Sequence, residues 1–322
     1  MVTVLLRRVG QSVAVLLVMA ILAFLAIYAI GNPVDVLVSP EADQMERQAA
    51  MARLGLDQPL AIQFLSFVGR LAHGDLGTSF VHGAPALGLV LERLPATLEL
   101  AVTAMITALL IGLPLGLWAG LSPGGIVGRA IAAFSILGFC LPTFWVGLVL
   151  IMTFSVHFGW LPAGGRGITV PVAGISLGIL SLDGLAHLLL PAANLALFKT
   201  SLIIRLASAG TRNVARQDYI RFARAKGLSS GRIIGVHILK NIMIPIVTVL
   251  GMELGSVIAF SVVTESIFAW PGMGKLLIDS IVHLDRPVVV AYLLVIVLVF
   301  MVINLLVDLL YAALDPRIGA NR

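Results

Sequence analysis

Apolar runs too long for the inside of a globular domain govern what this chain can fold into. From Val9 to Val34 no side chain carries a charge, and stretches of similar character recur toward the C-terminus. Crossing the hydrocarbon of a bilayer takes about 20 mostly apolar residues as a helix. Backbone groups in lipid must also be satisfied within the segment, which favours helices. Six spans are expected, at residues 9–31, 97–120, 131–155, 187–208, 243–264 and 288–312, the fourth being the weakest because it holds Pro191 and Lys199. Composition agrees: 59% of the 322 residues are hydrophobic and 11% charged, against roughly a quarter charged in a soluble domain. The chain reads as an all-α, polytopic membrane protein.

Arg7 and Arg8 ahead of an apolar core give the opening of a secretory leader. That core is far longer than the ~7–15 residues of a leader's apolar region, so a retained first helix is expected. The lone Cys140 falls inside the third expected span and reads as a small apolar residue. The histidines are scattered without ligand spacing, and no metal site is expected.

Six spans put both termini on one side. If that side is the cytoplasm, thirteen basic residues fall in inner segments: Arg7, Arg8, Arg129, Arg205, Arg212, Arg216, Arg221, Arg224, Lys226, Arg232, Lys240, Arg317 and Arg322. Only Asp218 and Asp315 accompany them. Outer segments hold seven basic residues mixed with many acids. The positive-inside rule therefore places the N- and C-termini in the cytoplasm. The net charge of +5 is a topology signal, and no aromatic-and-basic pattern for nucleic acid accompanies it.

The first outer segment, about 32–95, is long and partly structured. Ser39-Pro40-Glu41 reads as the start of a short helix ending near Leu54. Leu60, Phe64, Phe67, Val68 and Leu71 recur at helical spacing, giving an amphipathic helix. It lies either on the membrane surface or on the protein's own spans.

From Arg205 to Lys240 eight basic residues occur. One Arg or Lys at mid-membrane costs about 2.5–3.5 kcal/mol on insertion scales, so this insert stays in the cytoplasm. Between Thr211 and Lys226 there is neither Gly nor Pro, and Ala215, Tyr219, Phe222 and Ala223 share a helical face. Gly227 ends that helix as a C′ glycine. Ser229 or Ser230 caps a second helix leading into the fifth span. Two ionisable residues, Lys199 and Glu253, lie at similar depth within the fourth and fifth spans. They either pair with each other or both line the pathway, or, more plainly, Lys199 snorkels inward and Glu253 bonds a neighbouring helix. Gly112, Gly116 and Gly120, and Gly251 with Gly255, form G-x-x-x-G steps that let helices approach closely. Packing between spans is the plain reading, with a contact to a second subunit as an alternative for the fifth.

The helix, glycine turn and helix before the fifth span resemble the coupling loop of ABC importer permeases. That motif reads Glu-Ala-Ala, three residues, Gly, nine residues, Ile-x-Leu-Pro. With Gly227 as its glycine, Arg221, Phe222 and Ala223 stand at Glu-Ala-Ala and only Ala223 matches. His237 and Leu239 stand at Ile and Leu, and Lys240 replaces the Pro. The dipeptide/oligopeptide/nickel branch is closer, through Ala223 to Ser229, His237, Leu239, Asn241 and Pro245. "RLGLDQPL", "GDLGTSF", "LPATLEL", "LGFCLPTFWVGLVLIMTF", "GWLPAGG", "VVTESIFAWPGMGKLL" and "NLLVDLLYAALDPRIG" extend the resemblance along nearly the whole chain.

The resemblance implies a type I ABC importer transmembrane domain with six helices. It divides into a first helix with its outer segment, 1–95, and a five-helix permease core, 96–322, carrying the loop at about 209–241. The implied partners are a second permease in a heterodimer, two cytoplasmic ATPase subunits, an extracytoplasmic solute-binding protein and membrane lipid. ATP and Mg would be bound by the ATPases and no cofactor by this chain. "GMGK" at Gly272–Lys275 fails as a phosphate loop, because Ala269 replaces the first Gly and Leu276 follows the Lys. The residues implied for ATPase coupling are Tyr219, Arg221, Phe222, Ala223, Arg224, Ala225, Lys226 and Gly227. A proton-coupled secondary transporter using Glu253, or a scaffold binding anionic lipid through the basic insert, are the rival readings.

Overall fold

A computed structural model describes residues 14–25, 43–53 and 55–314. Helices dominate, and they fall into two compact units. One comprises the chain up to Pro95 with Pro271–Val302, the other Ala96–Trp270 with the chain from Ile303.

In the first unit lie α1 (Ala14–Leu25), α2 (Gln44–Arg53), α3 (Leu60–Ala72), the start of α4 (Ala86–Leu121), α10 (Met273–Val282) and the first part of α11 (Arg286–Leu314). The proposed cap at Ser39-Pro40-Glu41 lies outside the described residues. Within them, the Asp43 carboxylate accepts the Glu46 N–H at 2.8 Å, as an N-cap does. From Phe64 onward the stripe on α3 faces the protein, while Leu60 is exposed: Phe67 is buried with Ala20, Ala23, Phe24, Val290 and Leu294, flanked by Phe64, Val68 and Leu71. The Phe24 and Phe64 rings meet edge to face at 5.2 Å. The "GTSF" loop is tied down by the buried Asp285, whose carboxylate accepts the Ser79 hydroxyl and the Phe80 and Val81 N–H groups.

The second unit holds the remainder of α4, then α5 (Ile126–Cys140), α6 (Thr143–His157, its last seven residues wound as a π-helix), α7 (Leu182–Ala215), α8 (Asp218–Ala225) and α9 (Ser230–Ile267). A two-stranded antiparallel hairpin, β1 (Val170–Val172) and β2 (Ile175–Leu177), precedes α7. By length and composition α4, α7, α9 and α11 can each cross a membrane, and the bent pair α5–α6 is either a fifth, broken span or a re-entrant loop. Of the sixth, expected over 9–31, the described residues contain the apolar helix α1.

The continuous third span expected at 131–155 is corrected. α5 and α6 meet at 106°. Pro142 has no N–H to give and pushes Leu141 out of the helical region, to φ −77°, ψ 131°. The weak fourth span proves to be an uninterrupted helix of 34 residues with Pro191 inside it.

The glycine steps are also assigned by contact. α4 and α7 run parallel with backbones nearly touching. A Cβ built at Gly112, Gly116 or Gly120 would stand 2.9 Å from Ile203, 2.5 Å from Ala207 or 2.5 Å from Thr211. A Cβ at Gly251 would stand 2.4 Å from Val307. These faces are filled by the chain's own helices, so the alternative of a subunit contact at Gly251 is set aside. Gly116→Leu is expected to cost at least the ~1–3 kcal/mol of an overpacked core, because Ile204 backbone lies 2.9 Å from the new Cβ. Gly231→Ala, with nothing within 4 Å, is the control. A Gly116→Leu protein melting in detergent at the parent's temperature would refute the close contact.

Candidate functional site

The basic insert forms a compact turn. α7 runs to Ala215, and Gln217 turns extended at φ −67°, ψ 147° before α8 begins at Asp218. The helix expected from Thr211 to Lys226 is thus corrected to Asp218–Ala225, since Thr211–Ala215 is the last turn of α7. The face changes with it. Ile220 and Ala223 are buried in a cluster with Ala207, Ile233, Ile238, Ile242 and Ile246, so α8 is clamped between α7 and the start of α9. Tyr219 and Phe222 point out, 44% and 61% exposed, and Arg221, Arg224, Ala225 and Lys226 are exposed beside them.

Local chemistry explains the sharp stop. Gly227 sits at φ +78°, where a side chain is disfavoured. Its N–H donates to Arg224 O at 2.9 Å and the Leu228 N–H to Ala223 O at 3.2 Å, a Schellman closure. Ser229 occupies the N-cap position of α9 without a side-chain capping bond. Asn241 Nδ2 donates to Tyr219 Oη at 3.2 Å and to His237 O at 2.6 Å, fastening α8 to α9. Lys226 Nζ lies 4.6 Å from the Phe222 ring centre. Arg221 and Asp218 are 3.6 Å apart but largely exposed, a pair worth little in water.

A second polar group lies deep in the apolar helices. The structure brings Lys199 and Glu253 into an ion pair, with Lys199 Nζ also donating to Ser256 Oγ at 3.0 Å and Ser256 Oγ 2.9 Å from Glu253 Oε2. Lys199 does not snorkel. Sequence reasoning missed two further acids. Glu99 of α4 accepts Arg166 Nε at 3.0 Å and Nη2 at 2.6 Å on Oε2, and the Ile179 N–H at 2.7 Å on Oε1. Glu265, fully buried, accepts the Thr97 hydroxyl at 2.8 Å and the Ser261 hydroxyl at 2.9 Å. The signal was available, because Glu99 lies inside the second expected span and Glu265 abuts the fifth. Among the described residues no group of three His, Cys, Asp or Glu could hold a metal ion. Lys275 of the failed phosphate loop pairs with Asp279 at 2.6 Å.

The family model for the binding-protein-dependent transport system inner membrane component matches residues 112–320, and the model of its N-terminal part matches residues 1–101. The di/tripeptide transport system permease protein DppB of Pseudomonas aeruginosa (strain UCBPP-PA14) is 39% identical, over 98% of both chains. The oligopeptide transport system permease protein AppB of Bacillus subtilis (strain 168) is 38% identical, over 97% of this chain and 98% of that one. The solved MetNI methionine ABC transporter, in an inward-facing form, aligns with 70% of this chain and 96% of its own at a TM-score of 0.53 and 16% identity, a likeness of fold alone. With family models covering both parts of the chain and relatives matching it end to end, the chain belongs to the binding-protein-dependent transport system inner membrane components and is the permease of an ABC importer.

Proposed function

We propose that the chain is one half of the membrane path of an ATP-driven peptide importer, and that α8 with the Gly227 turn is where ATPase subunits drive it. The division of labour on α8 carries this reading. Ile220 and Ala223 hold the helix to α7 and α9, while Tyr219 and Phe222 are presented outward beside Arg221, Arg224 and Lys226. An exposed aromatic anchor ringed by charge suits a protein groove. Because α8 is clamped to two long helices, a push on it moves them as packed bodies. Arg221, which stands where the general coupling motif has an acid, meets an acidic contact on the ATPase.

The positive-charge asymmetry supports cytoplasmic termini in a bacterial inner membrane. A second, related permease completes the path as a heterodimer, two ATPase subunits bind ATP and Mg, and an extracytoplasmic protein delivers solute. This chain binds no cofactor and catalyses nothing itself. The relatives named for di/tripeptide and oligopeptide transport support a peptide as solute.

Purification tests the reading. The tagged chain should co-isolate with ATPase subunits and a second permease, and the reconstituted assembly should take up peptide on ATP addition. Uptake that follows a proton gradient and ignores ATP would overturn it in favour of a secondary carrier.

A further inference from the structure

Lys199 lies near the middle of α7, with roughly 25 Å of helix on either side, and Glu253 lies about 20 Å from the Ile267 end of α9. Their polar partners are each other and Ser256. Lys199 Nζ also lies 5.2 Å from the Phe198 ring centre, Phe198 stacks on Phe139 at 4.5 Å, and Arg205 lies 4.9 Å from the Phe139 centre. In contact order the row reads cation, ring, ring, cation.

The pair is not closed off: the side chains keep 12% (Lys199) and 29% (Glu253) of their exposure, and Met252 and Phe260 on α9 are exposed. Ionised groups within membrane spans face the bundle interior or a water-filled cavity, or pair with one another.

The chemistry of the pair selects a solute. A fixed cation beside a fixed anion is neutral overall, and parting them in a low dielectric strands both charges unless each finds a replacement. A solute carrying both an ammonium and a carboxylate supplies both replacements at once. A solute with one charge or none leaves at least one group unpaired. Free peptides carry that combination at their termini.

We infer that Lys199 and Glu253 form a transient contact site in the translocation path for a zwitterionic peptide, Lys199 taking its carboxylate and Glu253 its ammonium. The site rests on the peptide-importer reading above. The termini of an extended dipeptide are at most about 7 Å apart, an opening that the flexible four-carbon stem of lysine can follow.

The test uses the complete transporter in proteoliposomes, with dialanine and tetraalanine as probes. With Cys140→Ser as background, Glu253→Cys should react with a charged, membrane-impermeant thiol reagent, and dialanine should slow that reaction about fivefold. Lys199→Gln and Glu253→Gln should each lower uptake about tenfold at saturating binding protein, with Lys199→Arg and Glu253→Asp restoring most of it. The double variant Lys199→Gln/Glu253→Gln discriminates further. It should regain the thermal stability lost in either single variant while its uptake stays about tenfold low. Recovery of stability and uptake together would show a helix tie and overturn the contact site. So would a Glu253→Cys protein that does not react, or reacts unprotected. A wild-type assembly that hydrolyses ATP yet takes up neither probe would overturn the peptide reading and this site with it. A wild type that transports beside insensitive variants would overturn the site alone.

Discussion

Phe222→Asp is expected to stop ATP-driven uptake while the permease still folds and inserts. Phe222 is 61% exposed, so its ring contributes little to the fold of the free chain. α8 is held instead by Ile220 and Ala223. The new carboxylate would also stand four residues ahead of Lys226, a pairing that supports a helix by a few tenths of a kcal/mol. In an ATPase groove the same change removes an aromatic anchor, typically worth about 2 kcal/mol or more, and brings in a charge that must be desolvated. A loss of about 2 kcal/mol weakens the contact roughly thirtyfold. ATPase subunits should then fall away during purification, with uptake reduced at least tenfold. Retained uptake with normal ATPase co-isolation would refute the assignment of α8.

Arg166→Ala should produce the largest loss of stability. Glu99 is almost fully buried, and Arg166 gives it two hydrogen bonds on one oxygen. The same guanidinium donates to Ser176 O at 2.6 Å and lies 5.8 Å from the Trp270 ring centre, while Trp270 Nε1 donates to Ala96 O at 2.9 Å. Cutting Arg166 leaves Glu99 with only the Ile179 N–H among the bonds described above, a buried charge without its counterion. Removing one partner of a buried pair costs about 3–5 kcal/mol. The thermal midpoint in detergent should fall by several degrees, and hairpin amides should lose hydrogen-exchange protection. Adding Glu99→Gln to Arg166→Ala should restore much of the loss, because a neutral amide needs no counterion. A single variant within ~1 kcal/mol of the parent would mean that the pair is not a staple.

Hydropathy made most of this architecture legible, and the reasons for the misses are specific. Apolar runs reveal that a segment crosses a membrane, yet they are blind to direction within it. The α5–α6 bend was visible only as Pro142, and a proline inside an apolar run can either kink a helix or sit within it, as Pro191 does. The start of α8 was misplaced because nothing in Thr211–Lys226 breaks a helix by propensity. The break comes from burying Ile220 against α9, a tertiary demand. Gly227 was legible because its positive φ is a local requirement. Lys199 and Glu253 stood out singly, but their meeting depends on the rotation of α7 against α9. Glu99 was overlooked because its partner, Arg166, is 67 residues away in sequence.

The row Gly112, Gly116, Gly120 has a mechanical consequence. Two helices whose backbones touch over three successive contacts resist bending as a single beam, stiffer than either rod alone. The contacts run from Ile203 to Thr211, the stretch of α7 between the depth of Lys199 and the junction with α8. A displacement delivered at Arg216 therefore has no compliant length in which to dissipate. It arrives about 25 Å away, at the level of the Lys199–Glu253 pair, as a translation of the whole beam.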